Sequence, residues 1–346
     1  MVLVNFRLIH DEGRGSRSKR AVNAQQEGIP SLNHTHYHTY DEISEWLDEV
    51  GRSCGSACSV FSIGNSTENR NLKVIRIGSE GANKPIVWID AGIHAREWIA
   101  PATALYIISK VYSRSRLNRY LNTKYTWYIL PLANPDGYDY TWTSDRLWRK
   151  TRSVHPTNSC RGVDPNRNWG FHWAGLGTSA NPCSENYHGL QPFSEPETQA
   201  ISQFVLSLGD RLLVYLSLHS YGQYWLAPWG YTYRVPDDYL DMLYVGNQAA
   251  DALKRVQGTV YEVGASSRLL YLAAGGSDDW AKGVAGVKYA YTVELRDTGR
   301  HGFILPASEI QQTGREMLQA VRVLALIVLR EQRLLERQQT TNSAPS

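Results

Sequence analysis

Long apolar runs are missing from this 346-residue sequence. A membrane-spanning helix needs about 18 or more successive apolar residues, and even the run Val323 to Leu329 is flanked by Arg322 and Arg330. We therefore predict no membrane contact. The opening Met-Val-Leu-Val-Asn-Phe is too short and too polar for a secretory signal, so we expect any signal to have been removed or to lie outside this sequence.

A strong charge of one sign is also missing. Lys and Arg number 36 against 33 Asp and Glu, which gives a formal net charge of +3. The densest basic stretch, Arg14 to Arg20, lies in a terminal segment rather than along a helix or strand. The charge pattern therefore predicts no nucleic-acid partner.

Cysteine is scarce, and none of the four residues has the Cys-x2-Cys spacing of a structural zinc site. Cys160 and Cys183 flank a stretch rich in Gly, Asn, Ser and Pro, and we favour a disulfide between them. Cys54 and Cys58 are left to each other or free. Disulfides favour an oxidising compartment, whereas four reduced cysteines in a cytosolic protein are the alternative.

The composition, 42% hydrophobic and 20% charged, fits one large domain. Residues 1–33 lack hydrophobic periodicity and are predicted to be a disordered basic arm, a possible remnant of a pro-segment. Residues 34–330 alternate between strand and helix patterns, and 331–346 are predicted to be a flexible tail. The predicted strands lie at Leu72–Ile77, Ile86–Ile89, Tyr125–Leu130, Leu212–Leu218 and Tyr289–Leu295.

Helical patterns lie between these strands, so we predict an α/β fold with a mixed, mostly parallel sheet and helices on both faces. They cover residues near 98–111, 196–208, 239–255 and 307–329. Ahead of the first strand, a helix is predicted from Tyr40 onward with Ile43, Trp46, Leu47 and Val50 on one face. Two long stretches, 133–193 and 257–280, lack strong periodicity and are predicted to be functional loops.

Metal-ligand residue types follow two of the predicted strands. His94 and Glu97 come directly after the strand that ends near Asp90, and His219 follows Leu218. Ligands bind at the carboxyl ends of strands in open α/β sheets, and two histidines with one glutamate form a common catalytic zinc shell. Asp164 is a candidate to orient His94 or His219 through the second ring nitrogen.

A carboxylate interrupts the apolar strand that contains Glu294. Burial would raise its pKa toward the range of a general base. The structural alternative is an ion pair with Arg296. Asp278 and Asp279 follow Gly275-Gly276, where they are candidates either to meet a ligand or to cap the next helix.

Eight ordered blocks together resemble the zinc metallocarboxypeptidases of the pancreatic and insect digestive type, within the funnelin group, and the basic-specific carboxypeptidase B most of all. The resemblance covers about residues 35–330. Its blocks begin at His94 (HAREWIAP), Asn134 (NPDGY), Leu147 (LWRKTR), Gly162 (GVDPNRNW), Cys183 (CSE), His219 (HSY), Gly275 (GGSDDW) and Glu294 (ELRDTG).

The resemblance implies one Zn²⁺ held by His94, Glu97 and His219, with Asp164 behind His94 and a Cys160–Cys183 bridge. It implies that Glu294 is the general base and acid and that Arg149 polarises the scissile carbonyl. It further implies that peptide C-termini are the substrates, bound by Arg96, Arg146, Asn166, Arg167, Tyr221, Tyr271 and Phe303.

Asp278 implies a preference for C-terminal Lys or Arg, because it stands where relatives specific for apolar residues carry an apolar side chain. Broad or apolar specificity, or a catalytically silent peptide-binding relative, are the alternatives. We further predict that the protein is secreted and monomeric and that it has no nucleic-acid or membrane partner.

Overall fold

The computed structural model describes residues 30–342, apart from 79–80, 82–83 and 113–114, with side chains to residue 335 in the last helix. Most of the predicted N-terminal arm, residues 1–29, lies outside this part. Residues 30–33 belong to the folded body instead, since the carbonyl of Pro30 accepts a hydrogen bond from Trp46 and Leu32 packs on the core.

In the part of the chain that the structure describes, eight strands, numbered along the chain, form a single sheet in the order β1-β2-β4-β3-β5-β8-β6-β7. The central strands β4, β3, β5 and β8 are parallel to one another. On one side, β2 is antiparallel to both β4 and β1, and on the other side β6 is antiparallel to β8. The sheet is therefore mixed with a parallel centre. The strands are β1 (Cys58–Asn65), β2 (Asn71–Ile77), β3 (Ile86–Ala91), β4 (Thr126–Leu130), β5 (Leu212–Ser220), β6 (Tyr224–Ala227), β7 (Glu262–Ala265) and β8 (Tyr289–Leu295).

Helices cover both faces of this sheet. In the described part of the chain they are α1 (Tyr40–Ser53), α2 (Ile99–Val111), α3 (Arg116–Lys124), α4 (Pro135–Thr143), α5 (Pro196–Ser207), α6 (Tyr239–Gln257), α7 (Ser266–Leu269), α8 (Ser277–Gly283) and α9 (Ile310–Asn342). None of them is long and apolar enough to cross a bilayer.

Side chains of the central strands alternate between two buried layers, as the period of a strand requires. Val87 and Ile89 of β3 point to the layer that contains α2, α6 and α9. Ile86 and Trp88 point to the layer that contains α5 and α8. A strand buried on both faces is a near-continuous apolar run, which is why β3 could be predicted from the sequence.

The last helix runs further than the sequence predicted. α9 continues to Asn342, so residues 331–342 are helical rather than a flexible tail. No glycine or proline interrupts the chain between Gly314 and Pro345, and Glu331 is held by Lys288 and Tyr289 at the start of β8. These contacts and the absence of a helix breaker explain the longer helix.

Two predicted loops also contain helices. α4 lies inside 133–193, where Asn134 caps its first turn and Pro135 starts it, and α8 begins within 257–280. The stretch 257–280 also contains β7 and α7. Most of the remainder of the two stretches is irregular.

Candidate active site

The sheet register brings the chemical groups together. Asp90 on β3 is paired with Ser217 on β5, and His219 on β5 is paired with Glu294 on β8. Because side chains two residues apart share a face, Ser217 and His219 point to the same side of β5. Three parallel strands thus deliver polar groups to one edge of one face.

His219 and two residues that follow β3, His94 and Glu97, surround a single point. The Nδ1 atom of His94 lies 2.7 Å from Glu97 Oε1 and 3.1 Å from the Nδ1 atom of His219. His219 Nδ1 lies 3.1 Å from Glu97 Oε2. All three side chains are nearly inaccessible to solvent, and their ligand atoms lie within 4.8 Å of one another.

The outer nitrogens of both imidazoles are already engaged. His94 Nε2 lies 3.2 Å from Asp164 Oδ1, and His219 Nε2 lies 3.1 Å from Ser217 Oγ. A carboxylate can only accept a hydrogen bond, so Nε2 of His94 carries the hydrogen and its Nδ1 keeps the lone pair. Asp164 therefore serves His94 rather than His219.

The geometry of this trio requires a positive charge at its centre. Two nitrogen lone pairs and a carboxylate that face one another at about 3 Å repel unless a proton or cation lies between them. In the metal-free protein the pKa of His219 reflects this need, because burial lowers it but Glu97 outweighs burial and raises it to about 9. His2Glu is a donor set that suits zinc and leaves a fourth position open.

A second carboxylate lies behind His219, and sequence reasoning missed it. The hydroxyl of Ser217 donates to Asp90 Oδ1 at 2.6 Å, and Trp88 Nε1 donates to Asp90 Oδ2 at 2.7 Å. The signal was present, because a polar residue interrupts an apolar strand at Asp90 just as one does at Glu294.

Glu294 is not held in a structural ion pair with Arg296. The Arg296 guanidinium instead contacts Glu316, Glu309 and Thr259. Burial, followed by the negative charge of Glu97, raises the pKa of Glu294 to about 8 in the metal-free protein. A divalent cation beside it would lower that pKa.

Two guanidinium groups, that of the partly buried Arg149 and that of the buried Arg167, face the same space. Arg149 donates to Asp164 Oδ2 from Nε at 3.1 Å and from Nη2 at 3.0 Å. Arg167 is only 5% exposed, and its Nε donates to the carbonyl of Gly177 and Nη1 to that of Asn166. Asp164 thus contacts both His94 and Arg149. Among the described residues, no carboxylate forms an ion pair with Arg167.

These groups open into one cavity of about 320 Å³, a size that suits a small ligand. Asn166 and Asp278 lie on its wall. Gly275 allows this arrangement because its φ is +72° and a Cβ there would lie 2.6 Å from the Arg167 carbonyl. The predicted residues that line the cavity are His94, Arg96, Glu97, Arg149, Asn166, Arg167, Tyr221, Tyr271, Asp278, Glu294 and Phe303.

Asp278 and Asp279 have different surroundings. Asp279 accepts hydrogen bonds from the amides of Gly230 and Tyr231, at 2.9 to 3.0 Å, and so fixes a neighbouring loop. Asp278 is 6% exposed and faces the cavity, and burial raises its pKa. Only Asp278 is available to a ligand.

Aromatic and basic side chains form the rim. Tyr221 and Phe303 pack edge to face with ring centroids 4.9 Å apart, and the Arg96 guanidinium lies 4.3 Å from the Phe303 ring centre. Tyr271 is 58% exposed. Arg146 is not part of the cavity lining; it stacks on Trp98 and donates to the carbonyls of Arg96 and Phe303.

Both pairs of cysteines form disulfides. Cys160 is bonded to Cys183, as predicted. Cys54 is bonded to Cys58 at the end of α1, which decides between the two alternatives left open by the sequence. The first bridge lies in the irregular stretch that carries Arg149, Asp164 and Arg167.

Sequence comparisons place the chain among known proteins. It is 50% identical over 295 residues to carboxypeptidase B of Astacus astacus, covering 85% of this chain and 97% of that protein. It is 43% identical over 304 residues to carboxypeptidase A2 of Mus musculus, covering 87% of this chain and 72% of that protein.

Solved structures agree. Bovine thrombin-activatable fibrinolysis inhibitor, in complex with tick carboxypeptidase inhibitor, superposes with a TM-score of 0.81 at 39% identity, covering 86% of this chain and 99% of that one. Carboxypeptidase A from Helicoverpa armigera gives a TM-score of 0.82 at 33% identity, covering 86% and 75%. The zinc carboxypeptidase family matches residues 43–320. The chain belongs to the zinc carboxypeptidase family and is a metallocarboxypeptidase that acts on peptide C-termini.

Proposed function

We propose that this carboxypeptidase holds one zinc ion through His94 Nδ1, Glu97 and His219 Nδ1 and releases Lys or Arg from peptide C-termini. When bound, zinc would act as a Lewis acid that lowers the pKa of a bound water and polarises a carbonyl oxygen. The lone pairs of both Nδ1 atoms and the Glu97 carboxylate, which face one point, support this ligand set.

Glu294 acts as the base in this proposal. It takes a proton from the water that attacks the carbonyl carbon of the last peptide bond, and then gives this proton to the leaving amine. Its position next to His219 in the sheet and its freedom from Arg296 support the role. Arg149, held by Asp164, is oriented to stabilise the negative charge that develops on the carbonyl oxygen.

Arg167 and Asn166 select the terminal bond. An internal residue offers no carboxylate, whereas a peptide C-terminus supplies the anion that the buried Arg167 guanidinium lacks. Holding this carboxylate fixes the distance from the scissile bond to the zinc ligands. Tyr271, exposed on the rim, is placed to cover the bound residue.

The observation that carries the specificity is Asp278, a buried carboxylate in the same cavity as Arg167. In this proposal Arg167 binds the terminal carboxylate of the peptide. Asp278 is then left to pair with the side chain of the last residue. A Lys or Arg side chain would pair with Asp278, whereas an apolar side chain would leave this carboxylate buried without a cation.

The test compares peptides that differ only in the last residue, Lys, Arg, Leu or Phe, with and without a zinc chelator, for the natural protein and for Asp278→Ile. We expect release of Lys and Arg that the chelator abolishes. In Asp278→Ile, kcat/KM for Lys should fall by about 100-fold or more, as expected for a lost buried ion pair, while Leu release increases. Asp241→Ile, which replaces an exposed aspartate on α6, serves as the control.

Other outcomes separate the alternatives. Chelator-sensitive release of Leu or Phe by the natural protein would leave a broad or apolar-specific carboxypeptidase and refute the role of Asp278. No release from folded, zinc-loaded protein would favour a silent peptide-binding relative.

The two disulfides support a further part of the proposal, that the protein is secreted. Disulfides persist in oxidising compartments and are rare in the cytosol. Non-reducing mass spectrometry of protein secreted by an animal cell line should find both bridges intact.

A further inference from the structure

The two histidines of the proposed zinc site are oriented by different means. His94 meets its carboxylate, Asp164, directly, at 3.2 Å. The Nε2 atom of His219 contacts the hydroxyl of Ser217 rather than a carboxylate, and this hydroxyl in turn contacts Asp90. The role of Asp90 therefore depends on the direction of two successive hydrogen bonds.

Trp88 fixes the direction of the first bond. An indole nitrogen can only donate, so the Asp90 oxygen 2.7 Å from Trp88 Nε1 must accept. Burial raises the pKa of Asp90, whereas hydrogen bonds from Ser217, Trp88 and Tyr215 lower it and so favour the carboxylate. The other Asp90 oxygen accepts a hydrogen bond from the Ser217 hydroxyl at 2.6 Å. Asp90 and Trp88 are almost fully buried, so water does not compete.

The direction of the second bond follows from the first. A hydroxyl can donate only one hydrogen bond, and the Ser217 hydroxyl donates its bond to Asp90. Its oxygen can then only accept from His219 Nε2, at 3.1 Å. Nε2 must carry the imidazole hydrogen, and the lone pair is left on Nδ1, which faces Glu97 and His94.

We propose that Asp90 is a positioning residue that sets the tautomer of His219 through the Ser217 hydroxyl, and so controls how firmly His219 holds zinc. The inference rests on the proposed zinc ligands. It extends them, because it assigns a role to two buried residues that contact neither metal nor substrate.

The sharpest variant is Asp90→Asn, which changes one atom. Trp88 still donates, so the amide oxygen of the asparagine must face the indole and its NH₂ must face Ser217. Ser217 then accepts from the amide and donates its own proton to His219 Nε2. This arrangement favours the His219 tautomer with hydrogen on Nδ1, and that hydrogen must leave before Nδ1 can bind zinc.

The experiment measures zinc release rather than peptide cleavage. Each protein is loaded with one equivalent of zinc and mixed with an excess of a chromophoric chelator. We expect Asp90→Asn to release zinc about 10–100-fold faster than the natural protein, the usual effect of losing such an outer partner. Ser217→Ala should release it faster by a smaller factor, because it removes the bond without imposing the wrong tautomer.

The double variant Asp90→Asn/Ser217→Ala separates a relay from two independent structural effects. Without the hydroxyl, the asparagine cannot reverse the imidazole, so the double variant should release zinc no faster than Ser217→Ala alone. Multiplied effects in the double variant, or an unchanged rate in Asp90→Asn, would overturn the proposal. Ser202→Ala, a buried serine on α5, is the matched control and should leave the rate unchanged.

A spectroscopic readout guards against misfolding. In ¹⁵N-histidine-labelled, zinc-loaded protein, the natural chain should give Nε2–H signals from both metal-binding histidines. In Asp90→Asn the His219 signal should weaken, because a ring with hydrogen on Nδ1 no longer binds the zinc. Loss of both signals together with a lower unfolding temperature would indicate a general structural defect and reject the relay. Failure of the natural protein to bind one zinc would instead refute the proposed ligand set.

Discussion

Glu294 illustrates how surroundings decide the role of a single residue. The nearby Arg296 forms an ion pair with Glu316 on α9 and not with Glu294. The Glu294 carboxylate lines the cavity instead. A carboxyl group without a fixed partner can gain and lose a proton during a reaction.

Glu294→Gln should therefore separate catalysis from metal binding. We expect kcat to fall by about 10²–10⁴-fold, the usual contribution of a general base, with zinc content unchanged because Glu294 is not one of the ligand residues. Steady-state kinetics and metal analysis check this. Glu262→Gln, an exposed glutamate on β7, is the control. A Glu294→Gln enzyme with near-normal kcat would exclude the proposed base.

Zinc binding should also release protons. In the metal-free protein His219 has a pKa of about 9 and Glu294 one of about 8, so both are largely protonated near neutral pH. A cation at the site displaces the His219 proton and lowers the pKa of Glu294. Binding should therefore release between one and two protons at about pH 7.5, and affinity should increase with pH up to about 9.

Calorimetric titrations in buffers of different ionisation enthalpy measure this number directly. In Glu294→Gln the release should fall to about one proton, because only His219 then contributes. A release that does not depend on Glu294 would show that this carboxyl is already ionised in the metal-free protein.

At the scale of elements, an ion pair joins the residue that follows β8, Arg296, to Glu316 on α9. Arg296 Nε lies 3.0 Å from Glu316 Oε2, and Glu316 is fully buried. Arg296→Met leaves that charge without a cation, so unfolding free energy should fall by about 3–5 kcal/mol. Urea unfolding measures it. Arg315→Met on the exposed side of α9 should change it by no more than about 0.5 kcal/mol.

The elements that the sequence predicted are those with a strong pattern. β2, β3, β4, β5 and β8 are apolar runs, and α1 has a capping box at Thr39 and Glu42 with Ile43, Trp46 and Leu47 on one face. The short outer strands β6 and β7 were missed because four residues are too few to show a period, and β7 contains Gly264.

Prediction of the site depended on two kinds of information. The ordered motifs implied which residues belong to it, but spacing alone could not give the partner of each histidine, since that depends on strand register. Asp90 and Ser217 show this limit, because they are 127 residues apart in sequence and 2.6 Å apart in space.

At the scale of the whole molecule, the proposed zinc ligands join the turn after β3 to the end of β5. A ligand that binds only the folded state stabilises it by about 2.7 kcal/mol at 100 times its Kd. Chelation should therefore lower the unfolding temperature by at least about 5 °C. Scanning calorimetry with and without chelator checks this, and in His219→Ala the chelator should have little effect.

The pairing of Asp90 with Ser217 and of His219 with Glu294 has a consequence for biogenesis. If β5 were inserted one residue out of register, Ser217 and His219 would turn to the opposite face of the sheet, and the ligand set would not form. With the proposed ligand set, zinc retention would report on sheet assembly: a chain that keeps its metal would have its central strands in the correct register, and a misassembled chain would fail to retain it.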